Sequence, residues 1–176
     1  MIRGRSARYG DRVSDALVRP LTPTDVPALV AINDDAHPAV PITSAQEFEA
    51  LVAHADLALV AERDGEQVGF LLALRPGRDY ESENYRFFSA RSNDFLYVDR
   101  IVLAPAARGA GLGRELYGRV FDAARAAGAS EVTCEVNVEP PNPESLAFHA
   151  ALGFTEVARQ STKGGAVVVA LLAAPV

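Results

Sequence analysis

The sequence predicts one mixed α/β (α+β) domain, and three observations carry that expectation. Its 176 residues suffice for a single cored domain and are few for two. Apolar residues make up 49% of the chain and charged residues 23%, the balance of a globular protein. Short apolar runs alternate with stretches of helical periodicity, in the order β-α-α-β-β-β-α-β-α-β-β.

Residues 1–13 carry arginines with no hydrophobic segment behind them, so they read as a loose basic leader and not a secretory signal. The domain is expected over residues 14–174. DALVRPL is the first strand. Thr22, Pro23 and Asp25 then announce a helix on which Val26, Leu29 and Val30 recur at helical spacing. Ser44 and Glu47 form a second capping box, ahead of Phe48, Leu51 and Val52. LALVAE and QVGFLLAL flank Asp64-Gly65, a hairpin signal. Residues 75–94 show no clear period and are expected to form a packed loop, with Tyr80, Tyr85, Phe87 and Phe88 as its anchors. A strand over 95–103 leads to a helix from about Arg108 to Ala127, with Leu112, Leu116, Val120 and Ala124 on its apolar stripe and Gly128 as its stop. EVTCEVNV is a strand, NPESLAFHAAL a short helix, and FTEVARQ with AVVVALL a closing hairpin.

Several function classes drop out on composition. A net charge of −6 does not suit a nucleic-acid surface. No apolar run approaches the roughly 20 residues that span a bilayer. The single cysteine, Cys134, reads as a small core residue of a reduced, cytoplasmic protein. The three histidines, scattered along the chain, have no metal-ligand spacing.

The informative stretch is LYVDRIVLAPAARGAGLGREL, residues 96–116. Glycine costs about 1 kcal/mol against alanine inside a helix, so Gly109, Gly111 and Gly113 are not there for propensity. Their permissive backbone lets main-chain N–H groups approach a ligand, and a helix start adds unpaired donors and a positive dipole end. That is an anion site suited to phosphate, edged by Arg108 and Arg114. Neither the dinucleotide pattern nor the P-loop pattern fits. The pattern Arg108-x-x-Gly111-x-Gly113 after a strand resembles instead the pyrophosphate signature of the GNAT superfamily of acyl-CoA-dependent N-acyltransferases. A second block, Asn142, Ser145, Phe148 and Leu152-Gly153-Phe154, matches the family's other recurrent motif in register.

The resemblance covers roughly residues 15–172 and implies a mixed central sheet whose fourth and fifth strands splay apart around acetyl-CoA. It implies cosubstrate contacts from Ile101, Val102 and Leu103 to the pantetheine arm, and from Arg108, Gly109, Ala110, Gly111, Leu112, Gly113 and Arg114 to the pyrophosphate, with Asn142, Ser145 and His149 nearby. His149 stands where the family usually has a tyrosine, and is expected to protonate the departing thiolate. An alkylammonium must lose a proton before it can attack a thioester. Asp99 is the expected base, sharing a strand face with Tyr97 and Ile101, and Glu135 is the competing carboxylate. Asn33, His37, Tyr97 and Asn137 are expected on the acceptor side. The implied activity is N-acetyl transfer to a primary amine of a small molecule or a protein, with no metal, no nucleic acid and no membrane, and a homodimer left open. The alternatives are a non-catalytic acyl-CoA-binding module and a transferase for a longer acyl group.

Overall fold

The computed structural model describes residues 16–176, so the expected leader lies outside the described residues. Twelve principal elements follow in chain order. They are β1 (Ala16–Pro20), α1 (Val26–Asp35), α2 (Ala45–His54), β2 (Leu57–Arg63), β3 (Glu66–Leu74), α3 (Glu83–Arg91), β4 (Phe95–Leu103), α4 (Leu112–Ala127), β5 (Glu131–Glu139), α5 (Pro143–Ala150), β6 (Thr155–Thr162) and β7 (Val167–Pro175). The strands form one seven-stranded sheet in the order β1-β2-β3-β4-β5-β7-β6, antiparallel except where β4 runs parallel to β5. Among the described residues no helix is long and apolar enough to cross a membrane.

The helix starts follow the sequence chemistry. At α2 the Glu47 N–H donates to Ser44 Oγ at 3.3 Å and the Ser44 N–H donates back to Glu47 at 2.8 Å, the reciprocal capping box. Before α1, the Asp25 carboxylate accepts from the Thr22 N–H and hydroxyl, and also from Arg19 and Gln67. Arg19 bridges Asp25 to Glu62 as well, tying β1 to β2 and to the α1 entry.

Each face of the sheet is covered. On one side α4 buries Leu112, Leu116, Val120 and Ala124, the stripe read from the sequence, against Leu71, Leu96, Val98, Val132 and Cys134. On the other side α1 and α2 cover Val60, Phe70, Leu72 and Val102, and α3 covers Leu74, Phe95, Tyr97 and Leu171.

Three expectations need correction. The stretch 75–94 contains a helix, α3, capped by Ser82, which accepts from the Tyr85 N–H; Tyr85 and Phe88 are its buried face. The helix expected from Arg108 begins at Leu112, because Pro105–Ala107 form a separate 3-10 turn and Gly111 adopts φ +85°, outside helical geometry. Finally, strict alternation along β4 fails. Arg100 pairs with Leu72 and Val98 with Ala73, which leaves Asp99 as an extra residue in a bulge.

Candidate active site

The bulge decides which way the charged residues of β4 point. Leu96, Val98, Ile101 and Leu103 pack toward α4, whereas Phe95, Tyr97 and Val102 face the other helices. Asp99 and Arg100 join that second side consecutively: Asp99 accepts from the Tyr80 hydroxyl at 2.7 Å, and Arg100 Nη1 donates to Asn33 and Thr43 at 2.8 and 2.9 Å. Asp99 therefore does not share a face with Ile101.

Strands β4 and β5 pair only from Phe95↔Glu131 to Val98↔Cys134. Beyond that point they separate, as the splay requires, and Asp99 and Glu135 are the first residues on their strands past the β4–β5 ladder. The two carboxylates meet across the apex of the gap. Tyr97 donates its hydroxyl to Glu135 at 2.7 Å from full burial and forms no part of the cavity wall, so its place is behind Glu135.

The free edge of β4 is narrower than expected. The Ala104 N–H donates to Val68 at 2.8 Å, and ladder alternation then turns the amide of Val102 toward β3 as well. The amides of Ile101 and Leu103 are left facing the gap.

Two cavities open from the splay and share Ile101, Asn142, Ser145 and His149. The first, of about 400 Å³, runs along Leu103 to Arg108, Gly109, Gly111, Gly113 and Arg114. The first bond within α4 runs from the Glu115 N–H to the Gly111 carbonyl at 3.1 Å, so the preceding amides have no acceptor within the helix. Gly109 and Gly111 have φ of +78° and +85°, and a Cβ on either would enter open space. Such a cradle fits a pyrophosphate held by main-chain donors. Gly113 has another reason: its Cβ would stand 3.0 Å from the Phe148 ring, so it is small for helix packing. Leu112 belongs to the core, and neither its side chain nor Ala110 lines the cavity.

The second cavity, of about 340 Å³, holds Asp99, Arg100, Glu135 and Asn137, with Tyr117 and His149 at its inner end. Burial raises the Asp99 carboxyl, opposed by the Tyr80 hydroxyl and by Arg100, whose Nε lies 3.6 Å away. Among the described residues Glu135 has no cationic partner. Burial, and then the Asp99 charge, push its carboxyl up to about 8, with Tyr97 pulling the other way.

His149 is 2% exposed and hydrogen-bonded at both ring nitrogens. Nδ1 meets the Ser145 carbonyl at 2.7 Å, and since a carbonyl only accepts, Nδ1 carries the proton. Nε2 therefore accepts from the Tyr117 hydroxyl at 2.7 Å. Burial lowers the basicity of the ring further. These bonds fix a neutral imidazole with no free N–H, which corrects the expectation of His149 as a direct proton donor.

Other acceptor-side expectations divide. Asn137 lines the second cavity and donates to the Pro38 carbonyl at 3.2 Å. Asn33 is buried and holds Arg100 and the Pro41 carbonyl, away from the open space. His37 is exposed and lines neither cavity, although its neighbours Ala39 and Val40 line both. Sequence reasoning missed Tyr80, Arg100 and Tyr117. A tyrosine two residues before a helix cap, an arginine beside a buried aspartate and a tyrosine beside the helix stripe gave no periodic signal.

Comparison with known proteins agrees with this geometry. The profile of the Acetyltransferase (GNAT) family matches residues 26–154. The L-2,4-diaminobutyric acid acetyltransferase of Nocardia farcinica (strain IFM 10152) is 33% identical over 95 residues, a stretch that spans 53% of this chain and only 41% of that protein. Among solved structures, Ard1 from Thermoplasma volcanium superposes with a TM-score of 0.74 at 16% identity, covering 92% of this chain and 97% of the other. The yncA protein of Salmonella typhimurium, solved with its cofactor acetyl-CoA, gives 0.68 at 22% identity, covering 92% and 94%. At such identities these two structures speak for the fold. With the matched profile spanning most of the domain, from α1 to the residue before β6, the chain belongs to the GNAT acetyltransferase family.

Proposed function

We propose that this protein transfers an acetyl group from acetyl-CoA to a primary amine by direct attack within a ternary complex. The observation that carries the reading is the splay of β4 from β5, with the glycine cradle on one side and two buried carboxylates at its apex. The cosubstrate supplies an activated acetyl thioester. Amides of Gly109 to Arg114 hold its pyrophosphate, with Arg108 and Arg114 at the edges. Amides of Ile101 and Leu103 hold its arm, and one of them is placed to polarise the acetyl carbonyl.

An ammonium acceptor loses two protons on becoming an amide. We assign the first to Glu135. A general base works best with a pKa near the operating pH, and Glu135, raised to about 8, meets that condition. Asp99, which accepts from Tyr80 and lies 3.6 Å from Arg100 Nε, is assigned the attraction of the cation. This reverses the roles expected from sequence, where Asp99 drew support from a shared face with Ile101 that the bulge removes. The second proton leaves the nitrogen as the amide forms and ends on the thiol. The Tyr117 hydroxyl, whose one proton points at His149 Nε2 in the resting site, can rotate that proton to the departing sulfur.

A thiol-release assay across amines and peptides, run beside calorimetric titration of acetyl-CoA, tests the reading. Turnover with an amine and loss of that turnover in Glu135→Gln, with acetyl-CoA binding intact, is expected. Tight acetyl-CoA binding without turnover on any acceptor would select the non-catalytic module instead.

A further inference from the structure

The second cavity has features that the transfer reaction alone does not require. Arg100 has only 10% of its side chain exposed and lines the cavity. Its Nη1 is committed to Asn33 and Thr43, which fix the guanidinium from the α1–α2 side. Among the described residues, no acceptor is recorded for Nη2. Nε faces Asp99 at 3.6 Å, so Nη2, on a side chain that is nine-tenths buried, is the nitrogen left for an anionic oxygen of the occupant. Asp99 and Glu135 stand beside it and call for a cation. The site thus asks for both signs of charge within one small space.

A second observation limits the occupant's size. Helix α3 and the turn between β6 and β7 meet at the cavity: Gln160 Nε2 donates to Asn84 at 3.1 Å, and the Lys163 N–H donates to Glu83 at 3.1 Å. Loop 75–82 is pinned underneath, with Asp56 accepting from the Arg75 N–H and pairing with Arg78, and the Tyr85 hydroxyl donating to the Arg75 carbonyl at 2.6 Å. A buried aromatic cluster, Tyr85 and Phe88 on Phe95 and Tyr97, holds α3 in place. A volume of about 340 Å³ lies at the small end of ligand sites, room for a metabolite and little for an extended chain.

We propose that the acceptor is a free amino acid or similarly small amino carboxylate, its carboxylate held by Arg100 Nη2 and its reacting amine between Asp99 and Glu135. Resting on the transferase reading, this assignment excludes a polypeptide N-terminus, whose first carboxylate has become an amide. No bond is made or broken at Arg100, which is a specificity residue.

The test uses the native protein with glycine, L-alanine, β-alanine and γ-aminobutyrate, a series of growing amine-to-carboxylate distance. Each is set beside its carboxamide and beside a short alanine-led peptide. Thiol release is measured, and binding of each compound to the protein saturated with CoA is measured calorimetrically. The expected result is that at least one acid exceeds its amide and the peptide by tenfold or more in kcat/KM or affinity. Arg100→Gln should remove that preference while acetyl-CoA affinity stays within about twofold. Amides or the peptide matching the acids would overturn the proposal and leave the transferase reading standing. So would absence of both binding and release across the acids with acetyl-CoA still bound. Failure of the native protein to bind acetyl-CoA would overturn both. Because Arg100 also braces Asn33, the comparison of acid with amide on the native protein decides the matter even if Arg100→Gln does not fold.

Discussion

Replacing Glu135 with glutamine should abolish most turnover and stabilise the protein at the same time. Burial and the neighbouring Asp99 charge raise this carboxyl from an ordinary 4.5 to about 8. A carboxyl that holds its proton more tightly when folded makes the native state bind more protons than the unfolded chain between those two pH values. Stability from this group is therefore full below about 4.5 and lost as pH rises through about 8. At ~1.4 kcal/mol per pH unit the rise corresponds to at most about 5 kcal/mol. Glutamine recovers part of this, because it stays neutral and its carbonyl still accepts from the Tyr97 hydroxyl. Its amide N–H groups must find partners, however, and the cavity admits water. A gain of about 1–2 kcal/mol above pH 8, or roughly 3–6 °C in Tm for a chain of this size, is expected. Below pH 5 the two proteins should melt together.

Turnover should move the other way, falling by about 10²–10⁴-fold, the scale of a general base. The native pH–rate profile should rise with a midpoint near 8, the pH at which the buried carboxyl loses its proton. Asp99→Asn removes a charge that raises Glu135 and should shift the limb to lower pH. Tyr97→Phe removes a donor to the ionised form and should shift it higher. Thermal melts and steady-state kinetics from pH 5 to about 9.5 measure both sides. A Glu135→Gln protein that is no more stable at pH 9 than the native one would refute the burial argument. One that keeps native turnover would refute the assignment of the base.

Three further outcomes follow from other parts of the molecule. Gly111→Val places a β-branched side chain at φ +85° and pushes its Cβ into the phosphate cradle, so CoA affinity read by calorimetry should fall at least tenfold, about 1.4 kcal/mol; unchanged affinity in a folded variant would remove the cradle. His149→Phe frees the Tyr117 hydroxyl from its acceptor and should lower kcat about tenfold with acetyl-CoA affinity kept, the cost of misplacing one donor; a loss confined to KM would show that the ring only packs. Asp25→Asn leaves Arg19 with Glu62 alone in a buried cluster and should destabilise by about 2–4 kcal/mol at pH 7. The Arg19 guanidinium holds the Asp25 carboxyl far below the ordinary range, so that stabilisation is present above pH 4 and lost only as pH falls below it. Urea melts at pH 7 and pH 3 check both the size and the sign.

Where the sequence was legible, a local pattern determined the outcome. Leu112, Leu116, Val120 and Ala124 recur at helical spacing and all four are buried under the sheet. Asp64-Gly65 turns the β2–β3 hairpin, with both residues at positive φ. Gly109 and Gly111 announced a cradle because their spacing is itself the chemistry. Helix α3 escaped because Tyr85 and Phe88 give a single apolar pair within polar sequence, too short a run for periodicity to register. The Ser82 cap was there to be read, three residues before the Tyr85 amide it accepts from.

Strand β4 was a harder case, and the reason is physical. Alternation assigns faces only while both partners of a ladder advance together, and one extra residue inverts every assignment beyond it. The run FLYVDRIVL carries no glycine or proline at Asp99 to mark a bulge, and its cause lies in partners far along the chain: Tyr80 on one side, Asn33 and Thr43 on the other. In regular alternation Asp99 and Arg100 would point to opposite faces, one of them toward the apolar underside of α4 with no partner for its charge. The bulge brings both to the polar cavity at the apex of the splay, beside Glu135. An inserted residue costs ladder hydrogen bonds, and keeping it is reasonable only where the side chains it redirects are used. The cradle lies at the far end of the splay from these charges, so substitutions at Asp99 and Arg100 should change which acceptor is taken before they change how CoA is held.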